Sequence, residues 1–379
     1  ASADNLPQTK VRNILDTTFV MGLLQKPCRW MWHCLRHMCL AGIFVLLLPC
    51  SGRAQYTYTT NSPKATITIT GYTGTDSVVV IPNSIAGRTV TGIGVAVFQR
   101  NTNLTSVSFP TGMLSIANGA FNLCSLLTNV AIVGATTNIG EGAFAQCAYL
   151  TNIFVSAANT AFCASNGVLF NRAKTVLFQC PAGKSGSYDI PDGVTRIVAM
   201  AFAGCRGLTN ITLPNSVDEV GNVAFSSCVG LTHITVPAAV TNLGQRAFSF
   251  CTNMTCIYFS GNAPVVGMDV LTGDTQLVVH YLPGATGWPT TPETWQSQPT
   301  ALWLPAVLED EQMGFQENRF GFNLAWAAGK TVVVEQCTSL ATSDWIPLQT
   351  SVLVGGTASF IDPTGANDSS RIYRLRSAY

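Results

Sequence analysis

Apolar residues in this chain recur with a long fixed period. Phe98, Phe121 and Phe144 stand 23 residues apart, and Phe202, Phe225 and Phe248 repeat the interval. A small residue or Val precedes each Phe (Val97, Ala120, Ala143, Ala201, Ala224, Ala247). Cys follows three positions later in five of the six copies, as Cys124, Cys147, Cys205, Cys228 and Cys251. Leu or Met follows six positions later: Leu104, Leu127, Leu150, Leu208, Leu231 and Met254. The pattern Leu-x-x-Ile-x-Leu then alternates, as in Leu208, Ile211 and Leu213, and predicts a short strand with every second residue inward. Pro191, Pro214 and Pro237 end the strand, because Pro donates nothing to a ladder. A second apolar position (Ile116, Ile139, Val220, Leu243) precedes the next Phe, with Gly140, Gly221 and Gly244 behind it as tight-turn residues. The Ala-Phe-x-x-Cys phrase is expected to close each coil as one helical or 3₁₀ turn. A period of this length, held in register, predicts a solenoid whose coils stack equivalent residues into columns.

The 58-residue interval from Phe144 to Phe202 does not break the pattern. Strand ends recur at Val155, Ile190, Leu213, Val236 and Phe259, so one coil carries 12 extra residues. Apolar stretches on either side of Asn171-Arg172-Ala173-Lys174 place them in a hairpin. A smaller insertion falls around Ala86-Gly87-Arg88. The chain thus divides into an N-terminal extension and signal peptide (1–54), an N-terminal β cap (55–80), a right-handed, β-rich repeat solenoid of some nine rungs with short helical turns (81–283), a C-terminal cap (284–306), a linker (307–319) and a small all-β sheet or sandwich (320–379). Strand patterns at Phe320–Trp326, Thr331–Gln336, Trp345–Leu348, Ala358–Ile361 and Ile372–Leu375, with turn signals between them, define that last unit.

The N-terminal segment reads as an export signal. Lys26, Arg29 and Arg36 precede an apolar run from Met38 to Pro49, and Gly52-Arg53-Ala54 predicts cleavage before Gln55. The run has about 12 residues, short of the roughly 20 that span a bilayer. Met21 is the expected start. Cys28, His33, Cys34, His37 and Cys39 lie in this segment, and their spacing fits no paired C-x₂-C zinc arrangement. Only 10% of residues are charged and the net charge is +1. No run of Lys or Arg is present, which argues against nucleic acid and anionic membrane as partners.

The repeat resembles the BspA-type leucine-rich repeats of bacterial surface proteins. The family phrase, roughly Ala-Phe-x-x-Cys-x-x-Leu-x-x-Ile-x-Ile-Pro, is matched by Ala201–Pro214 and Ala224–Pro237, and the likeness extends over about residues 80–283. The insertion from Gly167 to Pro181 is similar to one in that family. The segment His280–Trp288 and the tail, with Asp344-Trp345, Phe360–Pro363 and Arg371–Leu375, resemble exported verrucomicrobial proteins. The resemblance implies export, a curved solenoid and binding of an extracellular protein or glycan, and it implies no catalytic residues.

The cysteine column reads as buried free thiols, since Cys packs as a small hydrophobe. No His or carboxylate joins the column, so no metal site and no cofactor are expected. Gly183-Lys184-Ser185 lacks the upstream Gly of a phosphate loop. His233 and His280 are the only histidines after Gln55; neither has a Ser and Asp at a matching coil position, so no catalytic triad is expected. Asp and Glu are scattered, as a glycan-cleaving carboxylate pair would not be. The remaining candidate is the outward face of the strands: Asn129, Asn152, Phe154, Asn210, Thr212, His233, Thr235 and Tyr258. Extended solenoid faces bind partners, and exposed aromatics anchor them. The first expectation is a secreted or cell-surface, non-enzymatic binding or adhesion protein. The second is a passive spacer of the cell surface attached through its C-terminal module. A weaker third is an enzyme with its site in that module.

Overall fold

The computed structural model describes residues 55–62, 65–290, 293–316, 319–340, 344–363 and 371–378. The export signal, its cysteines and Met21 lie outside the described residues.

The core is a stack of coils. One side carries ten parallel rungs, from Val78–Val80 to Gln298–Leu302, in three consecutive sheet segments. The other carries two-residue ladders such as Arg196–Ile197, Glu219–Val220 and Asn242–Leu243, each paired in parallel with the next. Inward residues repeat by type, and Phe121, Phe144, Phe202, Phe225 and Phe248 are fully buried. Phe202, Phe225 and Phe248 stack face to face with centroids 4.9 and 5.0 Å apart. Each coil therefore buries its ring against copies of itself, and no single coil could do so alone.

The expected insertion forms the antiparallel hairpin Val168–Asn171 and Val176–Gln179. It divides the interior into two apolar clusters, one from Ile67 to Leu169 and one from Val168 to Val279. A smaller hairpin pairs Ser84–Ile85 with Arg88–Thr89.

Three sequence expectations need correction. The Ala-Phe-x-x-Cys phrase is a chain of tight turns and not a helix. Residues two before and two after the ring adopt left-handed φ: Val223 (59°) and Ser227 (61°) around Phe225, Arg246 (54°) and Phe250 (58°) around Phe248. No helix continues through such residues. The turns are held by neighbouring coils, as when the Phe225 N–H donates to the Ala247 carbonyl at 2.7 Å. Second, Gly140, Gly221 and Gly244 are required by proximity and not by turn geometry. A Cβ on Gly244 would sit 2.4 Å from the Asn222 nitrogen of the coil beneath. Third, the described residues form ten rungs, one more than expected. The segment expected as a cap supplies Gln298–Leu302, which pairs in parallel with Val278–Tyr281 and antiparallel with Thr294–Trp295. It lacks the Phe-x-x-Cys phrase, so the repeat does not announce it.

The C-terminal region is all β. One sheet pairs Arg319–Ala325 with Thr357–Ile361 and with Ala306–Leu308 and Gly314–Gln316. The stretch expected as a linker thus contributes two strands. A second sheet places Thr331–Cys337 between Ile346–Val352 and Ile372–Ser377. Phe322, Leu324, Val332, Val334 and Phe360 fill the space they share.

Candidate binding surface on the strand face

Strand register sets two outward columns. In the first segment Ser106 pairs with Asn129, Asn129 with Asn152, and Ala131 with Phe154. In the second, Ser187 pairs with Asn210 and Asp189 with Thr212. In the third, His233 pairs with Cys256, while Thr235 pairs with Tyr258 and Tyr258 with His280.

Every sequence-predicted residue is on this face. Asn129, Phe154, Thr212, His233 and Thr235 are exposed, and Asn152, Asn210 and Tyr258 are half-buried. They do not form one patch. Phe154 and Tyr258 are separated by at least four rungs, roughly 20 Å at the usual strand spacing. His233 lies in the other column from both. Several polar side chains are already engaged: the Asn129 amide donates to the Thr128 hydroxyl at 3.4 Å, the Asn152 amide to Thr151 at 3.3 Å, and His233 Nδ1 shares a hydrogen bond with Thr232 at 3.1 Å. Thr128 is itself tied to the coil beneath, its Oγ1 donating to the Thr105 carbonyl, as Thr255 Oγ1 does to the Thr232 carbonyl.

The two aromatic positions differ in surroundings. Phe154 is 55% exposed beside a shallow hollow of small residues, among them Ala131, Gly134 and Ala158. Tyr258 stacks on His280 (centroids 4.8 Å, 26°) and leans on Trp303 (4.8 Å, 44°). Together with Leu304, Ala325 and Trp326 these three rings line a cleft of about 430 Å³ where the chain leaves its tenth rung for the C-terminal sheet. Burial pushes the His280 imidazole below its usual pKa, against the pull of a hydrogen bond with the Leu302 backbone. Burial and the neighbouring Cys256 thiol push the Tyr258 hydroxyl up to about 12. The cleft is uncharged at neutral pH.

Sequence reasoning missed Ser187, Asp189, His280 and Trp303. The first two lie on a rung whose core residue is Tyr188 in place of Ile or Leu. Counting two rungs on from Thr235 reaches His280. Nothing in the repeat points to Trp303, which follows the last rung. Asp274 was also missed, and it lies in the interior. Leu271 takes the Phe position of its coil and Asp274 the Cys position, 23 residues after Cys251. Cys124, Cys147, Cys228 and Cys251 each donate to the carbonyl of Phe in the preceding coil, at 3.0 to 3.2 Å. Asp274 is 1% exposed and neither carboxyl oxygen has a hydrogen bond of ordinary geometry. Burial pushes its carboxyl up to about 7, with the Cys251 backbone pulling weakly the other way.

Stacked coils, parallel rungs and columns of identical core residues define a leucine-rich-repeat solenoid. The chain belongs to the BspA type leucine rich repeat family, whose model matches residues 77–167 and 176–284 in six copies, together more than half of the chain. Among solved structures it is similar to the pneumococcal vaccine antigen PcpA, at 21% identity over 54% of this chain and 56% of that one (TM-score 0.45). It is also similar to a leucine rich cell surface protein from Faecalibacterium prausnitzii, at 20% identity over 62% and 89% (TM-score 0.41). A leucine rich repeat protein of T. pallidum matches at 26% identity over 59% and 88% (TM-score 0.35). The chain spans little more than half the length of the pneumococcal antigen. No curated protein matches the sequence. Among the described residues no helix is long and apolar enough to cross a membrane.

Proposed function

We propose that the protein is an exported, cell-surface or secreted binding protein without catalytic activity, and that it uses the C-terminal part of its strand face. Export rests on the signal-like order of residues 21–54 and on membership in a family of bacterial surface proteins. The observation that carries the site is the convergence of three rings, Tyr258, His280 and Trp303, in one concavity, whereas Phe154 brings a single ring to a hollow lined by small and aliphatic residues. Concave sites with apolar walls and a few polar groups are where ligands bind. The partner is an extracellular protein or glycan.

An array of extracellular proteins and glycans probed with the full chain tests this reading. Specific binding that Tyr258→Ala removes and Phe154→Ala leaves intact is the expected result. A blank array would favour a passive spacer attached through the C-terminal module. Loss in Phe154→Ala alone would move the site to the N-terminal sheet segment.

A further inference from the structure

Resting on the strand-face reading above, we propose that the cleft between Tyr258, His280 and Trp303 binds one pyranose unit of a neutral saccharide. Charge narrows the ligand first. Trp303, Leu304, Ala325 and Trp326 carry no ionisable group, and Tyr258 and His280 are uncharged at neutral pH. A phosphate, a nucleic acid or an acidic sugar would enter without a counter-charge and lose its hydration.

Shape and polarity narrow it further. Tyr258, His280 and Trp303 present ring faces and place their polar atoms at the ring edges. A pyranose has the matching layout, with C–H groups on its faces and hydroxyls around its rim. One donor is unspent. Trp326 Nε1 donates to the Trp303 carbonyl at 2.7 Å and Trp288 Nε1 to Gly261 at 3.2 Å, but the half-buried Trp303 indole N–H makes no hydrogen bond among the described residues. A ligand hydroxyl can accept from it.

A peptide fits less well. The strand Cys256–Phe259 is paired on both sides, with His233–Val236 and with Val278–Tyr281, and the latter is paired again with Gln298–Leu302. Strand addition needs an open ladder edge. The ring faces of Tyr258 and His280 stand on strands that are paired on both sides, and they offer a peptide no row of backbone donors and acceptors.

Calorimetric titration of the full chain with maltotriose, cellotriose and tri-N-acetylchitotriose tests the proposal. Sialyllactose serves as the charged control and a proline-rich peptide as the competing ligand class. Saturable binding of at least one neutral trisaccharide is expected. Trp303 packs against the C-terminal core, so Trp303→Ala alone is ambiguous. Leu304 is 56% exposed, and Leu304→Glu places a charge at the cleft with little risk to folding. It should weaken binding by about tenfold or more. Trp303→Phe keeps a ring face without the N–H and should weaken it several-fold, while Phe154→Ala should leave it unchanged. No binding by any of the three sugars, binding of the peptide alone, or sugar binding unaffected by Leu304→Glu overturns the proposal. If the sugars fail while the array still reports binding lost in Tyr258→Ala, the strand-face reading stands and only the ligand class falls.

Discussion

The solenoid and the C-terminal sheets bury polar groups in different ways. In the solenoid's repeated column the buried polar group is a thiol, and in four coils it donates to the Phe carbonyl of the coil before. In the C-terminal sheets the buried polar groups are carboxylates that accept from cations: Glu335, 5% exposed, takes Arg374 at 2.6 Å and Arg376 at 3.0 Å, and Asp362 takes Arg371 and the Tyr373 hydroxyl. Repetition explains the difference. A charge in a stacked column would face its own copy one rung away on both sides. At about 4.8 Å and an effective dielectric near 20, each such repulsion costs about 3 kcal/mol. A column therefore selects neutral groups, whereas a position that occurs once can pair its charge. Asp274 fits this rule by its place. It sits in the column of the last coil that keeps the repeat, against one thiol and no second carboxyl.

The largest effect should come from the column itself. Phe225 is fully buried between Phe202 and Phe248. Phe225→Ala should cost about 3–5 kcal/mol, since the rings on either side are held by their own coils and cannot collapse into the gap. Chemical denaturation at two pH values measures it. The cost should be the same at both, because the column holds no charge at this level. A loss below about 1 kcal/mol would mean that coils are held mainly by their backbone ladders, and the contrast between the interiors would fail.

Asp274 tests the exception. Its folded pKa of about 7 lies above the ordinary 3.8, so the folded state holds the proton more tightly than the unfolded chain. Its contribution is therefore fully present below pH 3.8 and is lost as pH rises through about 7. Asp274→Cys restores the column residue. It should stabilise the chain by about 2–4 kcal/mol near pH 8, with the gain shrinking toward pH 4. Thermal melts across this range give the answer. A gain independent of pH would show that the carboxyl finds a partner when ionised.

What the sequence showed and what it hid divide along the same line. The columns were legible because each position is restated up to six times, so that Phe, Cys and Leu identify themselves as core by spacing. The outward places of Asn129 or Thr235 followed by alternation from Leu or Ile neighbours. Single events were not legible. The tenth rung, Gln298–Leu302, carries no repeat phrase. The left-handed residues around each Phe are as varied as Val223, Arg246 and Gly204, because neighbouring coils impose the conformation. The cleft depends on Trp303 and Trp326, which only the path of the chain beyond the repeat brings near Tyr258. Asp274 could have been found, since a step of 23 from Cys251 reaches it, but the loss of Phe at Leu271 concealed the coil.

The smallest effect should come from the C-terminal ion cluster, and its pH dependence should run the other way. Burial raises the Glu335 pKa, but the Arg374 and Arg376 guanidiniums outweigh it and hold the carboxyl below its ordinary 4.5. A lowered acid contributes stability above 4.5 and loses it as pH falls through the folded value. Both arginine side chains are nearly half exposed, at 43% and 48%, so water screens the pairs and their worth is modest. Glu335→Gln should cost roughly 1–2 kcal/mol at neutral pH and close to nothing once the native carboxyl is protonated. Paired melts of the native chain and the variant at neutral and acid pH measure this. An unchanged melting point at neutral pH would mean that the two guanidiniums lose nothing to water, and the ions of this sheet would then be tolerated and not stabilising. With Asp274 favouring acid and Glu335 favouring neutral pH, stability of the native chain should peak between the two titrations, and Asp274→Cys should broaden that peak toward alkaline pH.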